Sequence, residues 1–75
     1  MTYWVKRILL KNGELVTERE LRKDENLFDG PPPVVGDKLL VSCRGRKFEA
    51  KIVWGNWPGR EHETSVVVPL RVEEI

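Results

Sequence analysis

Between Gly36 and Trp54 the chain reads GDKLLVSCRGRKFEAKIVW, and apolar and polar side chains alternate through two successive runs. Leu39, Val41 and Cys43 interleave with Lys38, Leu40 and Ser42. Phe48, Ala50, Ile52 and Trp54 interleave with Lys47, Glu49, Lys51 and Val53. A repeat of two predicts a pair of half-buried strands. With Arg44-Gly45 as the turn, Cys43 faces Arg46, Val41 faces Phe48 and Leu39 faces Ala50, so the apolar partners fall on one side of the sheet. Gly45 suits positive φ. Arg44 is a poor first residue for a type I′ turn, which leaves a type II turn or a glycine bulge as equal alternatives. The opposite face carries Lys38, Lys47 and Lys51, interrupted by Glu49 and continued at the tip by Arg44 and Arg46.

The chain opens with TYWVKRILLK, rich in β-branched, aromatic and aliphatic residues, and runs into Asn12-Gly13, a strong hairpin signal. A two-residue loop would set Lys11 against Glu14, Leu10 against Leu15, Leu9 against Val16 and Arg7 against Glu18. From Thr17 two readings compete. One continues the strand through Glu18; the other is a helical turn from Thr17 to Asp24, with Thr17 and Glu20 as a capping box. Leu21 is the only apolar residue of that turn, too little for a docked helix.

Residues 22–36, RKDENLFDGPPPVVG, form a connection in which three prolines remove backbone donors and favour extended geometry. Leu27 and Phe28 are expected to pin it to the core. Residues 55–63 read as a long turn. In the closing strand, residues 64–75, Val66, Val68, Leu70 and Val72 share one face; Pro69 lacks a donor and argues for a sheet edge or a bulge. The expectation is a single domain over residues 1–75, made of an N-terminal hairpin (1–21), the proline-rich connection, a central hairpin (37–54), the long turn and the closing strand. The fold class is mostly β, a small five-stranded antiparallel sheet, bent or closing into a partly open barrel.

The central hairpin resembles the opening hairpin of SH3-like small barrels of the Tudor and KOW kinds, through Gly36-Asp37 before a strand, the charged Arg44-Gly45 turn and the small Ala50 in the second strand. Lys51 to Trp54 is also similar to the last strands of PilZ domains. The paired arginines and D-x-S-x-x-G motif of dinucleotide-binding PilZ domains are absent, so the resemblance implies a fold and carries no ligand or site residue with it.

Seventy-five residues give one small core, which at this size buries about 60% of the unfolded chain's surface. Apolar residues at 40% and charged residues at 33% suit a globular chain rather than a disordered one. A net charge of +1 provides no global field for nucleic acid or anionic lipid, so any electrostatic binding must arise from local clusters. The lone cysteine, Cys43, excludes an internal disulfide and sits on the expected core face. No apolar run approaches the length of a membrane span and no signal-peptide pattern opens the chain, so the expected location is cytoplasmic.

Catalytic groups do not converge. His62 stands alone between Glu61 and Glu63, Ser42 and Ser65 lack a base, and no glycine-rich phosphate loop is present. The pattern calls for no enzyme, no cofactor and no metal. Binding remains: Trp57 in the long turn is the candidate anchor, either packing over a barrel end or reaching a partner. A protein-interaction or homo-oligomerisation module is the leading expectation. RNA or single-stranded nucleic acid is the alternative, with Lys38, Arg44, Arg46, Lys47 and Lys51 on phosphate and Trp57 on a base.

Overall fold

The structure, a computed structural model, describes residues 2–22, 24–31, 33–56 and 67–75. Six strands run in chain order: β1 (Thr2–Leu9), β2 (Leu15–Val16), β3 (Leu27–Asp29), β4 (Lys38–Cys43), β5 (Arg46–Gly55) and β6 (Val67–Glu74). They form one mixed sheet in the order β2-β1-β6-β5-β4, with β3 also pairing β1. The fold is mostly β and its sheet is not closed by strand pairing, as the periodicity implies. Two features depart from a five-stranded antiparallel arrangement. A short strand, β3, arises inside the proline-rich connection, and β6 returns parallel to β1.

The central hairpin has the register that its alternation demands: Leu39↔Ala50, Val41↔Phe48 and Cys43↔Arg46. Arg44 and Gly45 have φ of 53° and 77°, the two positive values of a type I′ turn, so Arg44 adopts the conformation that its side chain disfavours.

In the first hairpin the register differs by one residue from the expected one. Ile8 pairs with Val16 and Leu9 with Leu15. The N–H of Leu10 donates to the Glu14 carbonyl at 2.8 Å and that of Gly13 to the Leu10 carbonyl at 2.9 Å, making a three-residue loop with Gly13 at φ 90°. The hydrophobic face decides the matter. This register sets buried Ile8 against buried Val16, and exposed Leu9 against exposed Leu15; a two-residue loop would mix the faces. After Val16 the chain takes the helical-turn reading: the N–H groups of Glu20 and Leu21 both donate to the Thr17 carbonyl, and Leu21 drops into the core. No α-helix occurs among the described residues.

The core gathers Tyr3, Val5, Ile8 and Leu10 from the first strand and its loop, Val41 and Cys43 from β4, Ala50 and Ile52 from β5, and Val68, Leu70 and Val72 from β6. Burying such aliphatic side chains contributes about 1.5–3 kcal/mol each before entropy is subtracted. Cys43 is part of this core, and burial raises its thiol pKa, which suits an inert packing residue. Pro69 contradicts the edge expectation, because β6 lies between β1 and β5. Its carbonyl accepts from the N–H of Asn56 at 3.1 Å, just past the last paired residue of β5, so its missing donor falls where that neighbour ends.

The connection is pinned differently from expectation. Phe28 packs on the core and stacks with Tyr3 at 5.6 Å between centroids, but Leu27 is exposed. The main anchor is Asn26, whose side chain is fully buried. Its amide donates to the Ser42 carbonyl and accepts from the Ser42 N–H, each at 2.8 Å, while its own carbonyl accepts from Val5 N–H at 3.1 Å. Asn26 therefore joins β1 to the free edge of β4 across the gap that strand pairing leaves.

Removing this side chain strands two backbone groups of Ser42, each costing about 1–3 kcal/mol if it stays dry. Asn26→Ala is expected to lower the unfolding free energy by about 2–4 kcal/mol in a urea titration. Asn26→Asp sets a carboxylate oxygen against the Ser42 carbonyl, and only the protonated acid can donate there. The introduced carboxyl then has a raised folded-state pKa, so the deficit relative to the parent chain should shrink as pH falls; a pH-independent deficit would refute the bridge.

Candidate binding surface on the outer sheet face

The solvent face of the sheet is organised by two irregularities in strand pairing. In β1 the pairing to β6 shifts between Val5 and Arg7; in β5 the pairing to β6 shifts between Ile52 and Trp54. Each inserts one extra residue, Lys6 or Val53, and inverts the inside–outside alternation beyond it. Trp54 is thereby turned outward to 37% exposure, which corrects the core-side placement that alternation predicts.

Register places the outer side chains in three rows. Leu27, Trp4 and Pro69 are neighbours across β3, β1 and β6. Next come Arg7, Arg71 and Trp54 across β1, β6 and β5. The third row runs through Leu15, Leu9, Glu73, Lys51 and Lys38, from β2 to β4. Leu9, Leu15, Leu27 and Val53 are exposed at 36–51%. A shallow groove of about 210 Å³ lies along Arg7, Leu9, Leu15, Val53, Arg71, Val72 and Glu73.

The Arg71 guanidinium lies over the Trp54 ring, its carbon 4.4 Å from the centroid. Arg7 and Arg71 occupy directly opposed positions, an arrangement that costs stability for like charges. Arg7 Nε is 3.5 Å from Glu18 Oε2, an ion pair without hydrogen-bond geometry. That interaction matches the expected partnership of Arg7 and Glu18, although Glu18 lies beyond β2. The Glu18 carboxyl is held below its ordinary pKa by its own backbone N–H, with lesser help from Arg7 and Lys6.

The residues expected to form a basic patch are distributed over different surfaces. Lys38, Lys47 and Lys51 are exposed, with Lys38 directly opposite Lys51. Arg44 is occupied: its Nη1 and Nη2 bond the two oxygens of Glu14 at 2.9 and 2.6 Å, and its Nε and Nη2 bond those of Glu20 at 2.5 and 3.0 Å. This double fork ties the tips of the two hairpins together and stabilises the positive φ of Arg44. Arg46 stands on the opposite side of its strand from Lys47, over the Phe48 ring at 4.8 Å and 3.5 Å from Glu74. Trp57, His62 and Ser65 lie outside the described residues. Among the described residues no helix is long and apolar enough to cross a membrane, and no group of three His, Cys, Asp or Glu could hold a metal.

Alternation along the chain marks neither Arg7 and Arg71 as neighbours nor Trp54 as an outward residue. Arg71 carried a usable signal, as the one cation within the apolar run VVVPLRV. Trp54 carried none, because a single extra residue in a strand leaves no mark in the alternation before it.

The hydrogen bonds and charge of Arg44 hold the Glu14 and Glu20 carboxyls below their ordinary pKa. A depressed folded-state value means that the stabilisation is complete above the ordinary glutamate value of 4.5 and is lost as pH falls through the lowered ones. Arg44→Gln should therefore reduce the melting temperature most near neutral pH, with the difference from the parent chain closing under acid and diminishing in high salt. A difference that is constant with pH would show that Arg44 acts through backbone conformation alone. Set against known proteins, the chain matches no family model, no curated protein and no solved structure.

Proposed function

We propose that this chain is a non-enzymatic binding module that docks a protein partner on the outer face of β2, β1, β6 and β5. The observation that carries the reading is the Arg71–Trp54 stack, flanked by exposed Leu9, Leu15 and Val53. Tryptophan and arginine are the residue types most enriched at binding hot spots, and the surrounding aliphatics can exclude water from them. A soluble domain gains nothing for its own core from apolar side chains arranged in this way.

Because Trp54 and Leu15 lie outside the core, the pair Trp54→Ala and Leu15→Ser should leave the chain folded, with the melting temperature lowered only modestly by loss of the Arg71 contact. It should weaken partner capture by about 2 kcal/mol or more, the scale of a hot spot. Capture at parental strength by the doubly substituted chain would overturn this assignment. Light scattering over a concentration series separates a foreign partner from a second copy of the chain.

A second reading, RNA or single-stranded nucleic acid binding, is favoured by the opposed Lys38 and Lys51, a like-charge pair whose repulsion a phosphate would relieve. Here a labelled oligonucleotide should bind at low salt and weaken steeply toward physiological salt, with a shallower slope for Lys38→Gln and Lys51→Gln. Absence of low-salt binding removes this reading.

A further inference from the structure

We infer that the cross-strand pair Arg7–Arg71 recognises a carboxylate, and that the segment docking on this face is an extended peptide with Asp or Glu two residues from an apolar side chain. The inference rests on the reading of this face as a protein-docking surface and specifies the chemistry of its occupant.

Four observations converge on it. Arg7 and Arg71 are register partners on adjacent strands, so the backbone sets the roots of the two cationic side chains side by side. Arg71 has no carboxylate at ion-pair distance among the described residues, and Glu18 meets Arg7 only at 3.5 Å. The Nε atom of each arginine is buried without a hydrogen-bond partner, so neither guanidinium is fully satisfied within the protein. Trp54 covers Arg71 from one side, its ring centroid 4.4 Å from the guanidinium carbon, and the Nη pair is the edge that would take a bidentate acceptor.

Spacing supplies the apolar half. Arg7 and Leu9 are two residues apart on one strand, about 6.6 Å, the same interval that separates alternate side chains of an extended peptide. A carboxylate seated on the arginines therefore directs the side chain two positions along into the groove of about 210 Å³ beside Leu9, Leu15 and Val53. Glu73, across from Leu9 in register and facing Lys51, disfavours a second acid at that position.

The test is selection from a displayed library of random peptides, using the whole chain as bait and Arg71→Gln as the counter-bait. The expected outcome is enrichment of Asp or Glu two positions from Leu, Ile, Val or Phe. Binding of the selected peptides should fall about tenfold or more in Arg71→Gln and on exchanging the peptide's acid for its amide, and should weaken with salt. Thermal melting of Arg71→Gln should stay close to that of the parent chain, since relief of the like-charge neighbour offsets loss of the contact with Trp54, which separates lost recognition from lost folding. Enriched peptides that need no acid, or that bind Arg71→Gln equally well, overturn the carboxylate assignment while the docking face stands. No enrichment at all overturns both.

Discussion

The fold depends on one side-chain amide. Five strand positions in the order β2-β1-β6-β5-β4 give a sheet with two edges, and an exposed edge in a domain of this size leaves a row of backbone groups unpaired. Asn26 answers this locally by imitating a peptide unit: donor and acceptor together on Ser42 in β4, and its own carbonyl on Val5 in β1. An amide is suited to this role because it offers both groups at fixed separation, and a carboxylate, a hydroxyl or an aliphatic side chain cannot. The Arg44 fork to Glu14 and Glu20 reinforces the same seam from the hairpin tips. It is exposed and therefore screened, whereas the Asn26 side chain is fully buried.

The interior then determines the exterior. Val5 and Ile8 cannot both face inward on a strand with unbroken alternation, so β1 takes in one extra residue, and β5 takes in another just past its last core residue, Ile52. The core is filled, and Arg7 and Trp54 are turned to the solvent side, beside Arg71. The candidate binding surface is thus the outer consequence of packing the inner one. Its tryptophan–arginine stack and its unsatisfied guanidinium nitrogens are positioned by strand register, a rigid scaffold for recognition.

Several elements were legible in the chain itself. The register of the central hairpin follows from Leu39, Val41, Phe48 and Ala50, because any slip of one residue exchanges the faces. The core face of β6 and the burial of Cys43 follow from the same alternation. The type I′ turn was legible only in part, since an arginine at positive φ depends on two distant glutamates. Propensity misled at Asn12-Gly13, where a two-residue loop is locally favoured and the pairing of Ile8 with Val16 overrode it.

Sequence by itself therefore determined the strand-forming character of the chain, the central hairpin and the absence of an apolar stripe for a helix. These are properties of neighbours two or four residues apart, and local sterics and burial suffice to set them. Tertiary structure alone decided the parallel return of β6 onto β1, the bridging role of Asn26 and the outward turn of Trp54. It also decided that Arg44 is neutralised while Arg7 and Arg71 stand opposed. Each of these joins groups far apart along the chain, or depends on one inserted residue, and the energy that selects them exists only once the core is assembled.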